Sequence, residues 1–219
     1  MKEQDISDRL RSIHRKLLQF YGPLHWWPAE TKLEIIIGAI LTQNTNWQNV
    51  VKAIENLKRE GLLNVSALFH IKEECLAELI RSSGYYNLKA RRLKNFIRFL
   101  RSQYGGSLKE LFSGDWRALR KELLKVNGIG PETADSILLY AGEKPVFVVD
   151  AYTCRIFQRH GYFTGKDGYD RVQHFFMTYL PPQVSLYNEF HAQLVMVGKD
   201  YCLKNNPRCS ECPLSVFLE

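Results

Sequence analysis

Residues 123–155 read LLKVNGIGPETADSILLYAGEKPVFVVDAYTCR, and this stretch decides the fold. Leu123, Val126, Ile129, Ala134 and Leu138 are apolar at helix-like offsets. Gly128 and Gly130 interrupt them, and Pro131 opens a new run. Glycine at a turn tolerates positive φ and lets a backbone come close to a ligand. Proline suits the first turn of a helix, where its missing N–H costs nothing. The pattern predicts two helices joined by a hairpin. Gly128-Ile129-Gly130 then aims backbone N–H groups, at the start of the second helix, toward an anion such as phosphate.

Asp150 follows the apolar run Pro145-Val-Phe-Val-Val149. Two roles suit it. It can cap the helix that Ala151-Tyr-Thr-Cys-Arg155 would begin, or it can stand as a working carboxylate on a cleft wall. Taken alone, the cap is favoured; beside a phosphate-gripping hairpin, the working carboxylate is.

Moving outward, the pattern is helical almost throughout. Leu10, Ile13, Leu17 and Leu18 mark a helix over Ile6–Tyr21, and Leu33–Leu41 is dense enough for a buried one. Val50, Ile54 and Leu57 mark another, as do Leu93, Ile97 and Leu100. Leu111, Leu119 and Leu123 lead into the hairpin. Phe175, Tyr179, Leu186, Phe190, Leu194 and Val197 close the series. Val146–Val149 is the one strand-like run, so the expected class is all-α. There is no internal repeat, low-complexity tract or evident linker.

The 219 residues allow one large or two small domains. Net charge is +7, from 30 Lys+Arg against 23 Asp+Glu, which suits a polyanionic partner. The opening Met1-Lys-Glu-Gln-Asp is polar, so no secretory signal is read there. The most apolar window, Leu33–Leu41, is too short to span a bilayer. Five cysteines, three of them clustered as Cys202, Cys209 and Cys212, argue against a disulfide framework. Cytoplasmic, nucleoid-associated localisation is the expectation.

Val126-Asn-Gly-Ile-Gly-Pro-Glu-Thr-Ala-Asp135 followed by Val148-Val-Asp150 resembles the helix-hairpin-helix and catalytic aspartate of the endonuclease III superfamily of DNA glycosylases. Three further segments stand in that family's order. Leu41-Thr-Gln43-Asn-Thr45 resembles its early glutamine segment. Gly84-Tyr-Tyr-Asn-Leu-Lys89-Ala90 resembles its G-x-Y-x-x-K-A segment. Cys202-x6-Cys209-x2-Cys212 resembles its iron–sulfur loop. Together they cover roughly residues 25–215.

The resemblance implies two helical lobes with a DNA-binding cleft between them and a C-terminal cysteine loop. Residues 28–135 would form the central lobe with the hairpin, and 1–27 plus 136–219 a discontinuous second lobe. It also implies an enzyme that flips a damaged base out of double-stranded DNA, acting as a monomer. Asp150 would be catalytic, since a fixed negative charge stabilises the positive charge that develops on the sugar. Gly128, Gly130, Thr133 and Lys89 would contact DNA, with Arg91, Arg92 and Lys94 as further phosphate contacts. Gln43 would fill the space left by the flipped nucleotide.

One departure bears on reaction type. Bifunctional members carry a lysine two residues after the second hairpin glycine, and its amine forms a Schiff base that leads to strand cleavage. Glu132 stands there, so a monofunctional glycosylase without lyase activity is expected. Trp26, Trp27, Trp47 and Glu132 are the base-pocket candidates. A sandwich of Trp26 and Trp47 would attract a cationic base such as 3-methyladenine. His25-Trp26-Trp27-Pro28, the Gln43 segment and the missing lysine resemble the 3-methyladenine branch. Activity on mismatched thymine or uracil is the alternative within the family, and a noncatalytic hairpin protein is the alternative outside it. Tyr85, Tyr86, His191 and Lys199 are weaker candidates.

A [4Fe-4S] cluster is the expected cofactor, but with three of its four cysteines. The fourth family position falls on Leu218. A cluster with one non-protein or unusual ligand is the expectation; a different metal, zinc among them, and a metal-free loop are the alternatives.

Overall fold

The computed structural model describes residues 3–218; Met1, Lys2 and Glu219, assigned above to the ends of the second domain, lie outside it. Among the described residues the chain forms twelve α-helices and no strand. They are α1 (Glu3–Tyr21), α2 (Lys32–Leu41), α3 (Trp47–Arg59), α4 (Val65–His70), α5 (Glu73–Leu79) and α6 (Tyr86–Tyr104). There follow α7 (Leu108–Leu111), α8 (Trp116–Leu123), α9 (Pro131–Ser136), α10 (Ala151–Arg159), α11 (Tyr169–Tyr179) and α12 (Val184–Asp200). No described helix is long and apolar enough to cross a membrane.

Compactness divides the chain into two units. One comprises Ala29–Lys144; the other joins the residues up to Pro28 with those from Pro145 onward. The second crossing therefore falls after Lys144, where the sequence reading set it at 135/136. The cause is local: α9 runs on through a wider π turn, Ile137–Ala141, whose five side chains are all buried.

The Ala29–Lys144 unit is built on α2. Thr31 caps it through Oγ1, which accepts from Glu34 N at 3.2 Å. Leu33, Ile36, Ile37, Ile40 and Leu41 are buried. Around α2 pack α3, α6, α9 and the π turn. The stripe Leu93, Phe96, Ile97 and Leu100 of α6 meets the same core.

In the other unit α1, α10 and α11 supply single apolar stripes, and α12 is buried at Tyr187, Phe190, Leu194 and Val197. Phe147 stacks on Phe176 with ring centroids 4.2 Å apart and 9° between planes. The same ring meets Tyr187 edge-on at 5.4 Å.

Val146–Val149, the strand-like run, is fully buried but has no regular secondary structure and pairs with no strand. Two of its backbone groups bond to side chains of α11 instead. Gln173 Nε2 donates to Phe147 O at 2.6 Å, and Val149 N donates to Tyr169 Oη at 3.4 Å. Apolar periodicity reports burial, and here burial came without a ladder.

Candidate functional site

The hairpin forms as read. Helix α8, capped by Asp115 through Ala118 N at 3.0 Å, ends after Leu123. Turn bonds Val126 N to Leu123 O and Ile129 N to Val126 O, both 3.0 Å, then lead to α9. Val126 and Ile129 are buried beneath the turn.

The two glycines do different work. Gly128 has φ +96°, and a Cβ placed on it would lie 2.2 Å from Arg92 Cγ, so both backbone and space exclude a side chain. Gly130 has φ −90° and ψ 179°, which any residue adopts, and a Cβ there would meet nothing within 4 Å. Its lack of a side chain leaves open ground in front of α9, whose start carries no side-chain cap. That is where an anion would approach.

Gln43, on the loop after α2, joins this hairpin. Its Nε2 donates to Gly128 O at 3.0 Å and to Thr133 Oγ1 at 2.8 Å. Arg92 Nη1 donates to its Oε1. The structure thus brings Gln43, Gly128, Thr133 and Arg92 into one hydrogen-bonded group. Thr133 itself is buried, so it serves this network and not an exposed surface. Glu132 is exposed in the first turn of α9, where a carboxylate suits the helix dipole.

Lys89 is a correction. It is 1% exposed, and its Nζ donates to Leu41 O (2.8 Å), Thr45 Oγ1 (2.8 Å) and Ser83 O (2.6 Å). Burial, helped by the nearby charge of Arg92, pushes its ammonium down to about 8. It ties the end of α2 to both sides of the Gln43 loop and contacts no surface that DNA could reach. Lys94 is likewise buried, its Nζ donating to Leu68, Phe69 and Ile71 carbonyls at 2.6–3.0 Å. These two cations close the C-terminal ends of neighbouring helices, where carbonyls lack partners. Arg91 is exposed and pairs with Glu73 at 3.3 Å.

Sequence reasoning missed Asp135. Fully buried, it receives Arg120 through Nε to Oδ1 at 2.7 Å and Nη2 to Oδ2 at 2.9 Å. This fork locks α8 to α9 and so fixes the hairpin between them. The available signal was an acid inside the buried run Thr133-Ala-Asp-Ser136.

In the other unit Asp150 caps α10. Its Oδ1 accepts from Thr153 N at 2.7 Å and Thr153 Oγ1 at 2.9 Å. Oδ2 lies 3.7 Å from His191 Nε2. Burial by itself would raise this carboxyl, but His191 and the two Thr153 donors outweigh it and hold Asp150 below the ordinary 3.8. The cap is therefore real, and it leaves Oδ2 outside the cap, facing His191. Helices α10 and α12 approach so closely that a Cβ on Gly198 would fall 2.2 Å from Tyr152 Cδ1. That approach carries His191 of α12 to Asp150. Lys199 is exposed.

Trp26 and Trp27 sit edge to face, 6.1 Å apart, and both are half-buried. Their loop is tied to α12 by Leu24 N donating to Glu189 Oε1 at 2.8 Å. Trp47, also half-buried, starts α3 in the central unit behind the cap Asn46. Tyr85 is 71% exposed with φ 46°, and Tyr86 opens α6.

Cys202, Cys209 and Cys212 line one cavity with His160, Arg159 and Leu218. Arg159 Nη1 lies 3.1 Å from Cys202 Sγ. Leu218 presents hydrocarbon where the resemblance expects a fourth thiol. No group of three or more His, Cys, Asp or Glu among the described residues is arranged to hold a metal ion. The donor set therefore falls short of the four thiolates of a [4Fe-4S] cluster.

Sequence and fold are matched by known proteins. The model of the HhH-GPD superfamily of base excision DNA repair proteins matches residues 37–182. A Methanocaldococcus jannaschii protein designated a DNA repair glycosylase is 46% identical over 218 residues, 99% of this chain and 98% of its own. The H. pylori 3-methyladenine DNA glycosylase MagIII, solved with 1,N6-ethenoadenine bound, superposes with TM-score 0.75 at 32% identity, covering 91% of this chain and 98% of that one. Thymine-DNA glycosylase of Aeropyrum pernix is 24% identical over 94% of this chain and 93% of its own. The chain belongs to the HhH-GPD (endonuclease III) superfamily. Within it, the chain is a DNA glycosylase of base excision repair, and DNA is its partner.

Proposed function

We propose that this chain is a monofunctional DNA glycosylase that excises alkylated purines, 3-methyladenine foremost, and leaves the abasic site intact. Asp150 carries the reading. It is a carboxylate kept ionised inside the protein by Thr153 and His191, with Oδ2 clear of the helix cap. Breaking an N-glycosidic bond develops positive charge on the sugar, and a fixed carboxylate stabilises that state and orients the attacking water. Holding Oδ1 on Thr153 means the carboxylate need not reorganise during the reaction.

Glu132 supports the monofunctional half, because no amine stands at the position from which a Schiff base would form. The substrate half is supported by the identity to MagIII and by the part-open faces of Trp26, Trp27 and Trp47, since an aromatic face attracts a cationic purine. The backbone around Gly128 and Gly130 would grip a phosphate, and Gln43 would enter the duplex. The reading places the protein in the cytoplasm, at the nucleoid, acting as a monomer. The likeness to a thymine-DNA glycosylase favours mismatched thymine or uracil as the second reading.

The test is mass spectrometry of free bases released from alkylated duplex DNA, beside duplexes carrying uracil or thymine opposite guanine. Release of 3-methyladenine supports the first reading. Release of only the pyrimidine moves the assignment to the second.

A further inference from the structure

Gln43 does not wait with a free amide. Both Nε2 bonds end on the hairpin, at Gly128 O and Thr133 Oγ1, and Oε1 is taken by Arg92. A glutamine so engaged has both amide hydrogens and one oxygen lone pair taken, so it has no donor left for a base. To bond an orphaned base it must first give up these partners.

Arg92 is placed to govern that release. It stands on α6, whose Lys89 anchors Leu41 O and Thr45 Oγ1 on either side of the Gln43 loop. Its aliphatic chain lies against Gly128 closely enough that no Cβ fits there. Its Nη1 holds Gln43, and its buried Nε has no hydrogen-bond partner. The guanidinium is thus wedged between hairpin and glutamine.

We propose that Arg92 is a positioning residue that latches Gln43 on the hairpin in the DNA-free protein and so sets how readily the glutamine enters DNA. The inference rests on the reading of Gln43 as the residue that enters the duplex. Of the bonds holding Gln43, the one from Arg92 is charge-assisted and dominates the latch. Because Gly128 and Thr133 belong to the hairpin, any shift of the hairpin on docking loosens the same network. The latch would keep undamaged DNA from being probed at every step.

The test is a double-mutant cycle on full-length protein, using a duplex with a stable abasic-site analogue and an undamaged duplex. Arg92→Met keeps the hydrocarbon that packs on Gly128 and removes the donor. It is expected to bind the abasic duplex about tenfold tighter, roughly 1.4 kcal/mol. In the Gln43→Ala background the same change should have no effect. The slope of log affinity against log salt should stay the same, because no phosphate contact is lost. Arg92→Lys, which keeps a donor, should return toward wild type.

Weaker binding with a salt slope reduced by about 1 would make Arg92 a phosphate contact and overturn the latch. Equal effects of Arg92→Met with and without Gln43 would overturn it too. If Gln43→Ala alone leaves the preference for abasic over undamaged duplex unchanged, the reading of Gln43 fails and the latch with it. If Gln43→Ala lowers that preference but Arg92→Met gives no gain, only the latch fails. Thermal melting of each variant checks that a change in binding is not a loss of fold.

Discussion

Replacing Gly128 with alanine adds one methyl group at a point the structure closes twice. At φ +96° the backbone lies outside the regions an L-residue adopts readily, a strain of about 1–3 kcal/mol. The new Cβ would also lie 2.2 Å from Arg92 Cγ and 2.8 Å from its Cδ, so the arginine must move. Overpacking of this kind costs about 1–3 kcal/mol, toward the low end when a side chain can yield. A total of about 2–4 kcal/mol follows, and a movement of Arg92 breaks its bond to Gln43. In a chain of this size that corresponds to a fall in Tm of roughly 5–15 °C.

Gly130→Ala is the control, two residues away. Its φ of −90° is ordinary and nothing lies within 4 Å of the added methyl. Loss of a tolerated N-cap glycine and the gain from stiffening the unfolded chain roughly cancel, so stability should stay within about 1 kcal/mol. DNA affinity should nonetheless fall about tenfold, because the methyl stands where a phosphate meets the backbone. Urea denaturation and fluorescence anisotropy with duplex DNA measure the two effects. The reasoning is refuted if Gly128→Ala lies within 0.5 kcal/mol of wild type, or if Gly130→Ala loses stability and keeps its affinity.

Other substitutions probe the remaining features. Gly198→Ala drives a methyl into Tyr152 and should cost about 1–3 kcal/mol of stability; a neutral result in chemical denaturation would mean that α10 and α12 pack less closely than described. Lys89→Met leaves Leu41 O and Ser83 O buried without their donor and should destabilise by about 2–3 kcal/mol, while the salt slope of DNA binding stays fixed. A slope reduced by about 1 would restore Lys89 as a phosphate contact. The Asp150 carboxyl is held below 3.8 in the folded protein. Its contribution to stability is complete above the unfolded value and lost as pH falls through the lower folded value. The acid limb of activity should accordingly lie below pH 3.8, provided the fold survives; a limb near pH 6 would assign the chemistry to another group.

How much of this could be read beforehand depended on whether a residue's meaning was local. The hairpin was legible because Gly128, Gly130 and Pro131 carry backbone preferences that act within a few residues. Which glycine needed its conformation was not, because both the positive φ of Gly128 and the approach of Arg92, far along the chain, are set by the packing and not by the local sequence. The helices α1, α2, α3, α6, α11 and α12 were legible as apolar periodicity. Lys89 and Lys94 misled because a lysine on a helix ordinarily faces water. Nothing in Leu88-Lys-Ala90 reveals that the carbonyls of α2 lie within reach. The same holds for Asp135, whose partner Arg120 is identified only by the packing of α8 on α9. At Asp150 the cap was legible, because an acid just before Ala151-Tyr-Thr153 carries a local preference, whereas the approach of His191 from α12 was not.

The measurement closest to the central claim is single-turnover reaction on duplex DNA carrying an excisable base, read on a denaturing gel before and after alkali. Wild-type protein and Asp150→Asn would be compared, with binding to the same DNA recorded alongside. Asparagine keeps a carbonyl oxygen for Thr153 and removes the charge. Wild type should yield strand breaks only after alkali. The variant should bind within a few-fold of wild type but release base at least a thousandfold more slowly, a loss of about 4 kcal/mol of transition-state stabilisation. Cleavage before alkali, or a variant that still turns over at the wild-type rate, would contradict that claim.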